Sequence, residues 1–303
     1  MITTTLPADI EAAAFDQLHD DLPAWRGALE AIAAKLGQTD IVQIAEGTVL
    51  VALVGSMQVL KLYPPFLRDH FDFECAALAV IGGRLSIPTP RLLDAGLHHG
   101  WPWLLMTRLD GELLTGAWPA MSEQQKCTLL RSLGELTAQV HSHPVAELAA
   151  HAPAWPDFLT RQRERCASRQ QRTGLPAHLL AQLDDFLAGP LPHGPAVILT
   201  GEYTPMNLLV QQGQLCGMFD FGDGLVGPRA YDWLGPLAFL AAGHPARVQA
   251  LLSGYGVTLD RDQRLSLMRL LLLHRYSNLP ARIAHPGWQQ AESFEALTAL
   301  IWP

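Results

Sequence analysis

The sequence predicts an α+β chain in two lobes: a small antiparallel sheet with its helix, then a larger, mainly helical part. Three observations predict it. Between residues 40 and 63 the apolar residues fall in short Val-, Ile- and Leu-rich runs punctuated at Gly47 and Gly55–Ser56, the pattern of strands joined by tight turns. After Gly111 the spacing becomes mainly helical. A short strand-like island around residues 197–220 interrupts the helical part.

The elements follow in order. Residues 8–36 carry helical spacing through Ile10, Ala14, Leu18, Leu29, Ile32 and Leu36, and stop at Gly37. Strands are expected over 40–46, 48–54 and 57–63, then a helix over 68–81 closed by Gly82–Gly83. Two more strands are expected near 91–96 and 103–108. The run 122–141 places Leu129, Leu130, Leu133, Leu136 and Val140 on one helical face, with Ser122 as N-cap. Residues 155–172 read as another helix, and 245–301 as several more. The Pro-rich patches at 151–156 and 189–195 read as surface connections. The expected division is an N-terminal lobe over 1–106, with a helical extension to about residue 38, and a C-terminal lobe over 107–303.

Composition narrows the function classes. With 49% hydrophobic and 17% charged residues among 303, the chain reads as an ordinary folded protein with a substantial core. No apolar run approaches the length of a membrane span, and the first residues lack a basic segment leading into an apolar core, so neither a membrane protein nor a secretory signal is expected. Cys75, Cys127, Cys166 and Cys216 are far apart, which fits a reducing cytoplasm better than a disulfide framework or zinc site. The net charge of −8 argues against nucleic acid as a partner. Residues 1–100 hold 12 acids against 6 Lys and Arg, leaving only −2 of that charge to the remainder. There is no GxSxG elbow and no HExxH helix, so a hydrolase has no support. The chain is expected to act as a monomer or homodimer.

The island carries the chemistry. In LLVQQGQLCGMF, Gly213–Gln214 fits a two-residue type II′ turn. That register sets 212 against 215, 210 against 217 and 208 against 219, and so Asn207 opposite Asp220. Facing residues hold their Cβ atoms about 4.5–5.5 Å apart, close enough for an amide oxygen and a carboxylate to share one Mg²⁺, a hard cation that takes oxygen ligands. Glu202, five residues before Asn207, is placed to accept a proton from a substrate hydroxyl.

TGEYTPMN, followed by FDFGDG and AYDW, resembles the aminoglycoside phosphotransferase and choline kinase-like family, relatives of the protein kinases. The resemblance implies a bilobal protein-kinase-like fold, ATP (or GTP) with Mg²⁺ as cofactors, and a small-molecule hydroxyl as acceptor. It places Glu202 as catalytic base, Asn207 and Asp220 as metal ligands, and Asp232 as a buried brace of the catalytic loop. In VLKLY, Lys61 matches the lysine that meets the nucleotide phosphates, and Glu74 in FDFECAAL its ion-pair partner, with Asp69 and Asp72 as rivals. Gly47 and Thr48 stand where the phosphate loop crosses the nucleotide, though the segment QIAEGTVLV has no further glycine. Met106 to Arg108 in WPWLLMTRLDG match the connection whose backbone contacts adenine. LLRSLGELTAQVHSHP resembles the helix beneath the catalytic loop, with His141 and His143 read as packing and capping residues. The resemblance covers residues from about 40 to 240.

Two departures matter. Thr200 replaces the family's His, a loop-supporting residue, and Glu202 replaces its Asp. Glutamate is ionised at neutral pH like aspartate, but one extra methylene moves the carboxylate by roughly 1.5 Å, and misplacement on that scale can cost about 100-fold. Pro205 stiffens the loop between acid and Asn, and Asp223 is the alternative base. The sequence therefore leaves two functions open: an active phosphotransferase, or a pseudokinase serving as a nucleotide-binding regulatory module. Aromatic residues Trp155, Trp233, Tyr255, Tyr276 and Trp288 are core or pocket candidates. Residues 245–303 contain four acids against six arginines, a poor match to a polycationic aminoglycoside.

Overall fold

Five short strands form one antiparallel sheet, with tight turns at Gly55–Ser56 and His99–Gly100 reversing the chain. They are β1 (Ile41–Ala45), β2 (Leu50–Val54), β3 (Gln58–Leu62), β4 (Leu92–His98) and β5 (Trp101–Thr107), in the order β1-β2-β3-β5-β4. The computed structural model describes residues 6–37, 41–45 and 48–303. The chain divides into two compact units: Met1–Asp110 with Met218–Asp223, and Gly111–Gly217 with Gly224–Pro303.

In the first unit, residues 8–36 form two helices rather than one: α1 (Ala12–Asp20) and α2 (Leu22–Lys35). Asp21 leaves helical geometry at ψ 76°, and the second helix starts afresh with proline in its first turn, where the missing N–H costs nothing. Phe15, Trp25, Leu29 and Ile32 pack with Leu50, Ala52, Leu60, Leu62, Trp101 and Leu105 in one buried cluster. That cluster covers one face of β2 and β3. Side chains alternate along a strand, so Lys61, between Leu60 and Leu62, belongs to the other face. Helix α3 (Arg68–Ile81) carries Phe71, Glu74, Leu78 and Ile81 at helical spacing, all buried.

The second unit contains β6 (Glu112–Leu113), α4 (Leu114–Ala117), α5 (Glu123–His141), α6 (Ala146–Ala149), α7 (Trp155–Arg172), α8 (Ala177–Leu180) and α9 (Leu183–Leu187). Then come strands β7 (Ala196–Leu199), β8 (Leu208–Gln211), β9 (Gln214–Met218) and β10 (Leu225–Pro228). Helices α10 (Ala230–Phe239), α11 (Pro245–Tyr255), α12 (Arg261–Leu272), α13 (Leu279–Arg282) and α14 (Phe294–Ile301) complete it. Ser122 caps α5 in a full capping box with Gln125, satisfying orphan N–H groups at the helix start. Gly134 lets α5 approach α11 closely: a Cβ there would lie 2.2 Å from the Leu251 carbonyl.

Strand β10 pairs antiparallel with β7, Leu225 opposite Leu199 and Pro228 opposite Ala196. Its sequence VGP is a poor strand signal; the proline sits at the end of a two-stranded pair, where a missing N–H is tolerated.

The hairpin register differs from the sequence expectation by one residue. The turn residues are Gln212 (φ 53°) and Gly213 (φ 75°), both left-handed as a type I′ turn requires. The ladder is therefore closed by Gln211 and Gln214, and it ends at Met218. The register argument that faced Asn207 with Asp220 fails, because Gln212, and not Gln214, shares the turn with glycine. Among the described residues no helix is long and apolar enough to cross a membrane. All four cysteines are free thiols, only Cys166 of them fully buried.

Candidate active site

In the first unit the chemistry is built around a buried lysine. Lys61 Nζ donates to Glu74 Oε1 at 2.8 Å and Oε2 at 3.0 Å, and to Asp220 Oδ1 at 2.7 Å. Burial alone would depress the lysine, but Asp220 and Glu74 outweigh it and hold its pKa above the ordinary value. Glu74 is itself 0% exposed, and a carboxylate on the apolar stripe of a helix is tolerable only when its oxygens are satisfied. Besides Lys61, Tyr63 donates its hydroxyl to Oε2, and the N–H of Phe221 reaches Oε1 at 3.4 Å. Burial, then the Glu74 carboxylate, push the Tyr63 phenol well above its usual pKa. The rivals lie elsewhere: Asp72 pairs with Arg68 at 2.9 Å, and Asp69 accepts the N–H of His70.

The short segment Met218–Asp223 belongs to this unit. Asp220 adopts φ 70°, an uncommon left-handed conformation for a residue with a side chain. Asp223 lies 3.3 Å from His70.

In the second unit the loop after β7 is held from below. Asp232, in the first turn of α10, accepts the N–H of Thr200 at 2.9 Å and of Gly201 at 3.1 Å. His141 Nε2 meets the same carboxylate at 3.1 Å, and its Nδ1 meets the Tyr255 hydroxyl at 2.9 Å. A carboxylate only accepts, so Nε2 carries the proton and Nδ1 accepts from the tyrosine. Gly201 sits at φ 80°, a conformation glycine adopts without cost. Thr200 contributes its backbone N–H to this brace, which explains why a residue other than His can stand there.

Further along, the N–H of Thr204 donates to the Glu202 carbonyl at 2.9 Å, and Asn207 Nδ2 to the same carbonyl at 3.2 Å. The amide nitrogen of Asn207 is thereby engaged, leaving its oxygen as the end suited to a cation. In the first unit the Asp220 carboxylate is partly exposed, an oxygen donor of the type a hard cation takes. The Glu202 carboxylate lies 3.9 Å from the guanidinium of Arg282.

The remaining candidates are less informative. Gly47 lies outside the described residues, and Thr48 is an exposed bend. Met106 is buried within β5, between Val59 and Leu92. The N–H of Arg108 is spent on the Met57 carbonyl and that of Thr107 on Arg91, so these two amides are not spare donors for a nucleobase.

From the sequence His141 reads as a packing residue, and Arg282 and His274 do not stand out. His141 had a visible signal, its place at the end of the helix expected beneath the loop. Arg282 and His274 had none, since each lies about 70 or more residues from the loop in sequence.

A sheet-and-helix unit carrying a lysine–glutamate pair, and a helical unit carrying an aspartate-braced loop, are the parts of a kinase-like phosphotransferase fold. The model of the phosphotransferase enzyme family matches residues 43–267, and the chain belongs to that family. No curated protein matches the sequence. Among solved structures, the chain is similar to aminoglycoside 2'-phosphotransferase-IIIa in its GDP complex, at 18% identity and TM-score 0.66, over 90% of this chain and 96% of that one. It is also similar to a Streptomyces rimosus aminoglycoside phosphotransferase in complex with ADP and streptomycin (18%, TM-score 0.59, 84% and 98% covered). A third likeness is to a macrolide 2'-phosphotransferase from Brachybacterium faecium (19%, TM-score 0.58, 81% and 89% covered). At these identities the likeness is one of fold, and the expected family and fold class are both borne out.

Proposed function

We propose that the protein transfers the γ-phosphoryl group of ATP, or of GTP, to a hydroxyl of a small molecule. The observation that carries this reading is the Lys61–Glu74–Asp220 cluster, a buried cation that serves no packing purpose and matches a phosphate-binding lysine held in place by its glutamate. The nucleotide and small-molecule complexes of the structural neighbours support the same donor and acceptor classes.

In this reading the acceptor oxygen attacks the γ-phosphorus, its proton passes to the Glu202 carboxylate, and the bond to the β-phosphate oxygen breaks to leave the nucleoside diphosphate. Lys61 meets the nucleotide phosphates, and Glu74 keeps it oriented. Asp220 and Asn207 are the oxygen donors assigned to Mg²⁺, which when bound neutralises phosphate charge. Asp232 and His141 fix the backbone from which Glu202 projects. The loop has fixed backbone hydrogen bonds on both sides of Glu202, and that preorganisation compensates the longer side chain.

A second reading, a nucleotide-binding module without transfer, draws on the ion pairs that occupy both key carboxylates, Lys61 with Asp220 and Arg282 with Glu202. One experiment separates them: diphosphate release with Mg²⁺ across hydroxyl compounds, for wild type and Glu202→Gln. Acceptor-dependent release that collapses in the variant supports transfer with Glu202 as base. Release untouched by the change removes Glu202 from the mechanism and makes Asp223 the next base to test. ATP binding with no release for any acceptor favours the module.

A further inference from the structure

Arg282 is a buried cation with too few partners. It ends the short helix α13, is 9% exposed, and lies with its guanidinium carbon 5.0 Å from the centre of the Phe239 ring. A guanidinium has five N–H donors and no way to shed its charge at neutral pH. Among the described residues none of these donors has a hydrogen-bond acceptor; the nearest anion is Glu202 Oε1 at 3.9 Å, an ion pair beyond hydrogen-bond length. No Arg282 nitrogen is among the fully buried unpartnered atoms, so the donors without a protein acceptor reach solvent and are open to a ligand.

The surroundings point to the sign of that ligand. Arg282, Arg275 and Arg169 all act electrostatically on the neighbouring His274, which burial and these cations hold well below its usual pKa and so neutral. Glu202 is the acid paired with Arg282, while Asp232 is taken up by two N–H groups and His141. Three of the four acids later in the chain are occupied elsewhere: Asp260 caps α12, while Asp262 and Glu295 act on Arg269. An ammonium group brought to this place would meet like charge, whereas a planar oxyanion would meet a planar fork of donors.

We propose that Arg282 is the acceptor-binding cation of the site, and that the acceptor is an alcohol bearing an oxyanion, a carboxylate or a phosphate ester, close to the hydroxyl that Glu202 deprotonates. This rests on the phosphotransfer reading for the hydroxyl's fate, but the anion site stands on Arg282 alone. The anion takes the guanidinium donors that Glu202 does not reach.

The test uses the full chain with ADP and Mg²⁺ present. Calorimetric titration compares matched sets: hydroxy acids such as glycerate and gluconate, sugar phosphates such as ribose 5-phosphate, their neutral alcohols, and their amino counterparts. At least one oxyanion set should bind about tenfold or more tightly than its neutral partner, with the amines weakest; the carboxylate and phosphate arms tell which oxyanion is used. Arg282→Gln should erase that preference, and Arg282→Lys should keep part of it. Amines or neutral alcohols binding best in the wild type would overturn the proposal, a result that does not depend on any variant folding. So would an anion preference that survives in a folded, ADP-binding Arg282→Gln protein. Phosphoryl transfer from ATP is then read on the same compounds. Arg282-dependent anion binding without transfer to any of them upholds the anion site and defeats the phosphotransfer reading. Transfer with a charge ranking unchanged by Arg282→Gln does the reverse. A merely structural Arg282 would lower kcat alike for every acceptor, whereas an acceptor-binding one raises KM for the anions selectively.

Discussion

His141 Nε2 and Asp232 Oδ2 lie 3.1 Å apart, with both side chains almost wholly buried. The pair explains how a loop of ordinary sequence is held: the carboxylate takes two backbone N–H groups on one side and a histidine proton on the other. Asp232→Asn keeps the shape but turns a charged acceptor into a neutral one. Hydrogen bonds to charged groups are worth about 1.5–3 kcal/mol each, so the substitution should cost roughly 2–4 kcal/mol. Urea unfolding measures this, and a loss below half a kcal/mol would mean the carboxylate does not brace the loop.

The Lys61–Glu74 pair makes a sharper demand. Removing one member strands a buried charge, at about 3–5 kcal/mol. Lys61→Met and Glu74→Leu should each destabilise by that amount, while the double variant should be clearly more stable than the sum of the two predicts. Strict additivity in the double-mutant cycle would show that the two side chains are not coupled.

Stability should depend on pH through His274. Burial, then Arg282 and Arg275, hold its folded pKa well below the ordinary 6.5. Above 6.5 the ring is neutral in both states and contributes nothing. As pH falls through 6.5 the unfolded chain takes up a proton that the folded chain refuses, so stability drops by up to about 1.4 kcal/mol per pH unit. His98 and His244 are depressed as well, burial again leading, and add in the same direction. Denaturation of wild type and His274→Gln at pH 7.5 and 5.5 isolates the effect: the variant should lose about 1 kcal/mol less on acidification, and equal losses would acquit the residue.

Gly134→Ala tests the close approach of α5 and α11. Alanine favours a helix over glycine by about 1 kcal/mol, yet its methyl would sit 2.2 Å from the Leu251 carbonyl and 2.7 Å from the Tyr255 nitrogen. Overpacking of this kind costs about 1–3 kcal/mol. Calorimetry should find Tm lowered by roughly 3–8 °C; an unchanged or higher Tm would place the helices further apart.

Glu202→Asp tests whether the loop is set for the longer base. Withdrawing the carboxylate by roughly 1.5 Å should lower kcat by about 10- to 100-fold while leaving the nucleotide KM unchanged. Equal or greater turnover by the aspartate variant would show that the loop holds no adjustment for glutamate.

Local chemistry was readable where a signal is local. Apolar runs set between turn residues gave the five strands, Ser122 gave the start of α5, and Lys61 with Glu74 paired as their positions in the chain suggested. The hairpin failed because Gln212 accepts a left-handed φ beside Gly213, a choice that packing makes and composition does not advertise. Strand β10 was invisible because its pairing with β7, and not its own residues, makes it a strand. Arg282 was invisible for a related reason: a side chain's neighbours across the fold are not encoded in its neighbours along the chain.

The first unit borrows six residues, Met218–Asp223, from more than a hundred positions further along the sequence. Among them is Asp220, which neutralises Lys61. No single cut can therefore separate the units as intact pieces. A protease nicking the chain after Asp110 would leave the lysine on one fragment and its carboxylate on the other, and the two would stay together only by reassembly. Expressed alone, residues 1–110 would carry their lysine with one acid partner fewer, and adding the remaining fragment would restore it. The protein is thus threaded as one piece of gene, and its fragments are natural partners for split-protein complementation.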